Sequence, residues 1–145
     1  MSNRLTKGNA YVGALAVNSD LQVQDDTYIN GHLGVDISAN DITDGASMTF
    51  TAANLLAGIV TATPTTARNL QAPTAATIIA AVTPITQTGV GFEFTVINLA
   101  ASTHALTLTV NTGTTIVGSA TIAAASSATF VARIASSSAV VIYRK

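Results

Sequence analysis

Residues 89–98 read GVGFEFTVIN, the clearest strand pattern in the chain. Phe92, Phe94 and Val96 occupy every second position, and Glu93 lies between the two phenylalanines. Successive side chains of a strand point to opposite faces of its sheet. The pattern therefore predicts a β-strand with its apolar face buried and Glu93 directed to solvent, and the glycines of 89–91 allow the chain to turn into it.

The same period of two recurs through the C-terminal region. LTLTV at 106–110, TFVARI at 129–134 and VVI at 140–142 alternate in the same way, and the residues at 111–113 (NTG) supply a turn. Short alternating strands separated by frequent turn signals are typical of sandwiches and barrels. We therefore assign an all-β fold class and expect residues 46–145 to form an antiparallel β-sandwich or jelly roll.

One short helix is expected within this region. The segment PTAATIIAAV at 73–82 begins with proline, which the first helical turn tolerates because an N–H at that position has no intrahelical partner. Pro84 ends the pattern soon afterwards. A shorter segment, Thr51–Leu56, predicts at most a single helical turn.

A six-residue repeat runs through residues 15–38. Written in hexads, the segment reads LAVNSD, LQVQDD, TYINGH and LGVDIS. Hexad periods are typical of β-helices and β-rolls, in which a coil with three faces takes about 18 residues. Four hexads make little more than one coil, which cannot bury its own interior. We therefore expect a trimeric β-stalk whose shared core is formed by Leu15, Val17, Leu21, Val23, Ile29, Leu33 and Val35.

The composition divides the chain into three parts. Residues 1–10 are polar, lack periodicity and predict a flexible arm. Residues 11–45 contain the hexads and end in the polar segment DISANDITDG, which predicts a connector. The composition changes sharply after Gly45, so residues 46–145 are expected to form the β-sandwich domain.

Charge is nearly absent from most of the C-terminal region. Between Gly45 and Ala132 the formal charges are Arg68 and Glu93 alone, and the net charge of the chain is −1. An ordinary domain has about a quarter of its residues charged. The chain lacks the basic patch that nucleic acid or an anionic membrane surface attracts, and no apolar run approaches the ~20 residues of a membrane span. We expect neither as a partner.

The inventory of large apolar side chains is small. Hydrophobic residues make up 48% of the chain, but many are alanine, and the aromatic residues are four Phe and three Tyr with no Trp. Burial stabilises a fold by about 25 cal/mol per Å² of apolar surface. A single chain with so little to bury is marginal, so burial shared among identical copies is expected.

Residues for catalysis are scarce. The chain has two histidines, His32 and His104, and beyond Asp44 its one acidic residue is Glu93. A Ser–His–Asp arrangement needs a carboxylate to orient its base, and Glu93 is predicted to face solvent. We therefore expect no enzymatic activity, no catalytic residues and no cofactor.

Three further residue groups have competing interpretations. Asp36, Asp41 and Asp44 offer carboxylates to Ca²⁺, but the usual calcium-loop spacing is absent and aspartates are ordinary turn residues, so no metal is expected. Arg68 either anchors an acidic partner, such as Glu93 of a neighbouring subunit, or fixes a surface loop. Three dispersed tyrosines, which are ordinary strand residues, give weak support to sugar stacking; they are Tyr11, Tyr28 and Tyr143.

Several sequence segments together resemble a module of tailed-bacteriophage structural proteins. The segments are TAANLLAGIV at 51–60, PTTAR at 64–68, LQAPTAATIIAAV at 70–82 and GVGFEFTVIN at 89–98. A closing S-x-x-F-x-x-R…V-x-I-Y pattern then spans 127–143. The resemblance covers residues 48–143, and the hexads are similar to the β-stalks of phage fibres and spikes.

The resemblance implies a structural virion protein, either a capsid decoration (cement) protein or a head or tail appendage, usually homotrimeric. On this basis the expected partners are two further copies of the chain and the major capsid protein. The expected location is the exterior of the capsid, after assembly in the host cytoplasm. Arg4 and Lys7 of the arm are the candidate capsid-contacting residues.

Two alternatives stay open beside the decoration protein. The first is a fibre or tail appendage involved in host attachment, which requires an exposed site that binds cells or glycans. The second is a hydrolase that acts on surface polysaccharide, which requires a pair of carboxylates. The C-terminal region offers Glu93 alone, so that pair would have to come from the Asp-rich stalk.

Overall fold

The alternating segments of the sequence form strands in the computed structural model of the chain, which describes residues 35–82 and 88–145. Residues Val35–Lys145 make one compact unit, and the division from the preceding unit falls after Gly34. The elements in chain order are β1 (Ser38–Ile42), β2 (Met48–Thr49), α1 (Ala52–Leu56), β3 (Gly58–Ala62), β4 (Arg68–Gln71), α2 (Ala75–Ala81), β5 (Gly91–Asn98), β6 (Leu106–Thr109), β7 (Thr114–Val117), β8 (Thr121–Ile122), β9 (Ser126–Ser136) and β10 (Ala139–Arg144).

The strands form two sheets, and the chain crosses between them after almost every strand. The six-stranded sheet has the order β1-β3-β5-β9-β10-β7, and the four-stranded sheet has the order β2-β4-β6-β8. From β1 to β9 the odd-numbered strands lie in the first sheet and the even-numbered strands in the second. The first three strands of each sheet are parallel to one another, because each circuit of the chain returns in the same direction.

The expectation of an antiparallel domain is therefore wrong. Both sheets are mixed: five of the described strand pairings are parallel, and three are antiparallel. A short hairpin can join only antiparallel strands, whereas parallel neighbours need a crossover connection, which here passes through the other sheet. The all-β class is confirmed in its coarse form, with mixed sheets and two short helices.

Two short helices replace the single one expected. α2 begins after Thr74, whose hydroxyl oxygen accepts a hydrogen bond from the backbone N–H of Thr77. α1 is a true helix, because Thr51 and Asn54 form a reciprocal capping box at its start. Such caps satisfy N–H groups that have no intrahelical partner and stabilise a helix by about 1 kcal/mol.

One hydrophobic core contains residues from both sheets and both helices. Phe94 stacks on Phe130 with 5.4 Å between ring centroids, and Phe50 lies 6.2 Å from Phe94. The prediction that alternate residues of β5, β6, β9 and β10 point inward is confirmed for all four strands. Val110 is different: it lies just beyond β6 and is 50% exposed.

The predicted domain boundary also moves. The segment expected to be a connector contains β1, which pairs in parallel with β3 from Ser38↔Gly58 to Ile42↔Ala62. Residues 35–45 therefore belong to the same unit as residues 46–145, not to a separate stalk. The sequence of β1, SANDI, is polar and lacks the apolar alternation by which the strands from β5 onward were predicted. An edge strand can form without that alternation, because it needs few apolar residues. The arm at 1–10 and the hexads at 15–34 lie outside the described residues.

Candidate functional site

Most of the predicted contact residues lie outside the described part of the chain. This holds for the capsid-contacting candidates Arg4 and Lys7 and for all the trimer-core candidates except Val35. Val35 is 67% exposed in the single chain. The most C-terminal of the predicted trimer-core residues is thus left available for burial by another molecule.

The two described candidates for catalysis, Glu93 and His104, do not come together. Glu93 is exposed on β5, as predicted, and forms an ion pair with Lys145 instead of orienting a histidine. His104 lies half-buried in the loop before β6, and His32 is outside the described residues. Within 35–82 and 88–145, no group of three or more potential metal ligands occurs.

Asp44 closes a clasp between the segment after β1 and the start of β4. Its Oδ1 accepts a hydrogen bond from Arg68 Nε at 2.7 Å, and its Oδ2 accepts from the backbone N–H of Thr65 at 3.1 Å. The Thr65 hydroxyl donates to the same Oδ2. The Arg68 hydrogen bond, followed by that of the Thr65 hydroxyl, holds the pKa of Asp44 well below its ordinary value.

The clasp bears on the interpretations of Arg68 and of the aspartates. Arg68 fixes a loop within its own chain by pairing with Asp44. Asp41 accepts a hydrogen bond from Thr61 across β1 and β3. Asp41 and Asp44 thus have separate protein partners within the chain.

Asn98 is a structural residue to which the sequence pattern assigned no role. It is fully buried at the end of β5. Its Nδ2 donates to the carbonyl oxygens of His104 at 2.8 Å and Ile122 at 3.1 Å, and its Oδ1 accepts from the N–H of Ala100 at 3.1 Å. The final position of the G-x-x-F-x-F-T-x-x-N pattern is therefore the buried polar link between the two sheets.

The outer side of the four-stranded sheet is polar but uncharged. Its outward-facing residues alternate with buried Met48, Leu70, Leu108 and Ile122. Strand register places their hydroxyl and amide groups beside one another. We call this surface the amide–hydroxyl face; it consists of Thr49, Asn69, Gln71, Thr107, Thr109 and Thr121.

The outer side of the six-stranded sheet has a different character. It mixes β-branched apolar residues with threonines, and a hydroxyl–hydroxyl hydrogen bond of 3.0 Å joins Thr95 to Thr129. Tyr143, opposite Val131 in the register of β9 and β10, is 37% exposed. We call this surface the apolar face; its central residues are Ile59, Thr95, Ile97, Thr129, Val131 and Tyr143.

A groove of about 380 Å³ lies at the β1 end of the apolar face. The groove is lined by residues of four segments: Val35, Asp36 and Ile37 before β1, Leu56 at the end of α1, Gly58 and Ile59 of β3, and Glu93, Phe94 and Thr95 of β5. Val35, Ile37 and Leu56 are 67%, 59% and 39% exposed, so the groove presents apolar side chains to solvent. This groove is suited to burying an apolar partner surface.

The described surfaces can bind a partner by burial and hydrogen bonding. They offer apolar area at the groove and hydroxyl and amide groups on the opposite sheet, while the two described ion pairs, Arg68–Asp44 and Glu93–Lys145, are internal to the chain. Neither described helix is long and apolar enough to span a bilayer.

Comparisons of the chain with protein-family models, with curated proteins and with solved structures returned no significant match.

Proposed function

We propose that the chain is a structural virion protein, a homotrimeric decoration protein that binds the exterior of a phage capsid and stabilises it. The observation that carries the proposal is the surface of the described unit. Both sheets present extended outer faces, yet the charged groups there are few and partly paired within the chain. A surface of this kind suits burial against other protein subunits, and the sequence resemblance to phage virion modules points the same way.

The mechanism is stabilisation by shared burial. Three copies joined through the hexads at 15–38 present three arms to the capsid at once. After one arm has bound, the others are held at high local concentration, so the trimer binds far more tightly than a single arm. Arg4 and Lys7 would contact acidic capsid surface, and a trimer that bridges capsid subunits would resist their separation.

We further propose that the two sheets of the described unit pack as a β-sandwich. Their buried residues form one hydrophobic core, which supports this arrangement. Parallel neighbours such as β1–β3 and β3–β5 disfavour a jelly roll, because a jelly roll consists of antiparallel Greek keys.

A second candidate function, a fibre or tail appendage involved in host attachment, is favoured by the amide–hydroxyl face. Side-chain amides and hydroxyls are the groups that hydrogen-bond neutral sugars, and Asn69 and Gln71 lie exposed beside Thr107 and Thr109 in register. This function would place few copies on the tail, where they bind cells or glycans.

One experiment separates the two functions. The purified full chain is mixed with empty heads and, separately, with host cells, and its copy number on intact particles is counted. A decoration protein binds empty heads and is present in many copies over the capsid. Few copies confined to the tail, together with binding to cells, would replace the decoration role with host attachment.

A further inference from the structure

The β1 edge of the six-stranded sheet is incomplete within the described unit. Val35 and Ile37 expose most of their surface beside the groove. β1 pairs with β3 on one side, and its other side has no partner strand among the described residues. Exposed strand edges with apolar neighbours are usually covered in native proteins, so this edge is a candidate contact surface.

The far side of the apolar face has complementary features. Val131, Val141 and Tyr143 present half-buried or exposed apolar surface on β9 and β10, opposite to the core. Arg133 projects from the same side of β9 and is exposed. Within residues 35–82 and 88–145 its guanidinium forms no ion pair, and the same is true of Asp36 in the groove wall.

We propose that a second copy of this chain fills the groove, with the β9–β10 surface of one copy docked on the β1 edge of the next and Arg133 paired with Asp36 across the contact. The inference rests on the proposed homotrimer and names its interface in the C-terminal unit. A contact between two different patches closes into a three-membered ring when successive copies are related by a third of a turn, as the proposed homotrimer requires. Opposite charges at its two sides favour this pairing and disfavour like patches meeting.

The amide–hydroxyl face does not fit this role, which makes it the source of matched controls. Its outward-facing residues are Thr, Asn and Gln, with no large apolar side chain. Replacing Gln71 there by Arg adds one positive charge outside the proposed contact, whereas Asp36→Arg and Arg133→Glu each change the charge by two. The substitution leaves the proposed contact untouched.

The test is the mass of the full chain in solution, measured by sedimentation over a range of concentrations. Asp36→Arg and Arg133→Glu each place like charges across the contact, so each is expected to weaken association at least about tenfold. The double variant Asp36→Arg/Arg133→Glu restores the opposite pair and is expected to regain most of the loss. Gln71→Arg is expected to associate as the unaltered chain does.

A second pair of variants tests the apolar part without charge. Ile37→Ser removes an exposed apolar side chain from the groove, and Val117→Ser removes one that is 50% exposed on the opposite edge strand. Ile37→Ser is expected to weaken association, and Val117→Ser to leave it unchanged. Both sites are exposed, so folding should survive and can be checked by circular dichroism.

The outcomes separate the inference from the proposed function. If the unaltered chain is a trimer but Asp36→Arg, Arg133→Glu and Ile37→Ser all associate like their controls, this interface is wrong and the homotrimer stands. If the unaltered chain is a monomer that binds empty heads through the groove, a capsid subunit is the occupant, and both the interface and the homotrimer are overturned.

Discussion

The side-chain amide of Asn98 donates a hydrogen bond of 3.1 Å to the backbone carbonyl oxygen of Ile122. Asn98 ends β5 in the six-stranded sheet, and Ile122 lies in β8 of the four-stranded sheet. A second donation, to the carbonyl oxygen of His104, ties in the loop between them. One buried side chain therefore connects the two layers of the described unit.

Asn98→Leu should strongly destabilise the unit. The substitution leaves two buried carbonyl oxygens and the N–H of Ala100 without their partner, which is expected to cost about 2–4 kcal/mol of unfolding free energy. Urea unfolding at neutral pH measures this as a lower midpoint. Asn69→Leu, on the exposed amide–hydroxyl face, is the control and is expected to change stability by about 0.5 kcal/mol or less. If the two variants lower the unfolding free energy equally, Asn98 does not link the two sheets as argued.

The clasp of Asp44 and Arg68 should make stability sensitive to acid. The pKa of Asp44 is depressed in the folded chain, so the folded state binds this proton less readily than the unfolded state. The stabilisation is therefore complete above the ordinary aspartate range and is lost as pH falls below about 4. Unfolding free energy measured from pH 7 to pH 2 should decline at the acid end.

Asp44→Asn should flatten that acid decline, since it removes the titrating group. Asp41→Asn is the matched control, because an asparagine oxygen can still accept the hydrogen bond from Thr61. If the unfolding free energy of Asp44→Asn declines at acid pH as much as that of the unaltered chain, the clasp does not contribute to the acid sensitivity.

Gly113 is required by the turn before β7. Its φ is +76°, and a Cβ there would lie 2.6 Å from the carbonyl oxygen of Ser138 and 2.8 Å from the Cβ of Ala75. Gly113→Ala is expected to cost about 2–4 kcal/mol through backbone strain and overlap. Thermal unfolding of Gly45→Ala, where a Cβ meets nothing within 4 Å, provides the control. A Gly113→Ala midpoint equal to that of the control would contradict the geometry.

The basic arm should contribute to capsid attachment. Arg4→Ala/Lys7→Ala removes both cations of residues 1–10, and we expect lower occupancy on empty heads, most clearly at low salt, where charge attraction is least screened. Occupancy can be read from gel densitometry of pelleted heads. Unchanged occupancy at both low and moderate salt would exclude these residues from the contact.

The hexads should hold the trimer. Leu21→Asp places a charge at a predicted shared-core position, where burial of an unpaired charge is strongly unfavourable, and the chain should become monomeric. Gln22→Asp, at the neighbouring polar position of the same hexad, should not. If the Leu21→Asp variant is still a trimer, the shared core of the trimer does not lie in the hexads.

The strands from β5 onward and their buried sides could be predicted from the sequence, because alternation along one segment records which side chains face the core. Phe94, Phe130 and Ile142 illustrate this. The order of strands could not be predicted in the same way. Alternation carries no information about which strand lies alongside, so the repeated crossing between sheets and the resulting parallel pairs were missed.

The Asp44 clasp, the Asn98 link and the groove depend on contacts between residues that are distant in sequence. The sequence pattern therefore did not reveal them. Asp44 meets Arg68 across 24 positions, and Asn98 meets Ile122 across the same separation. β1 was missed because its residues are mostly exposed and polar. The groove arises only where the segment before β1, the end of α1 and β3 bring Val35, Leu56 and Ile59 together.

The most direct test of the account is the mass of the full chain in solution, by sedimentation equilibrium or light scattering. The account predicts a species of about 44 kDa, three times the 14.6 kDa of one chain. A single species of 14.6 kDa at every concentration would contradict it.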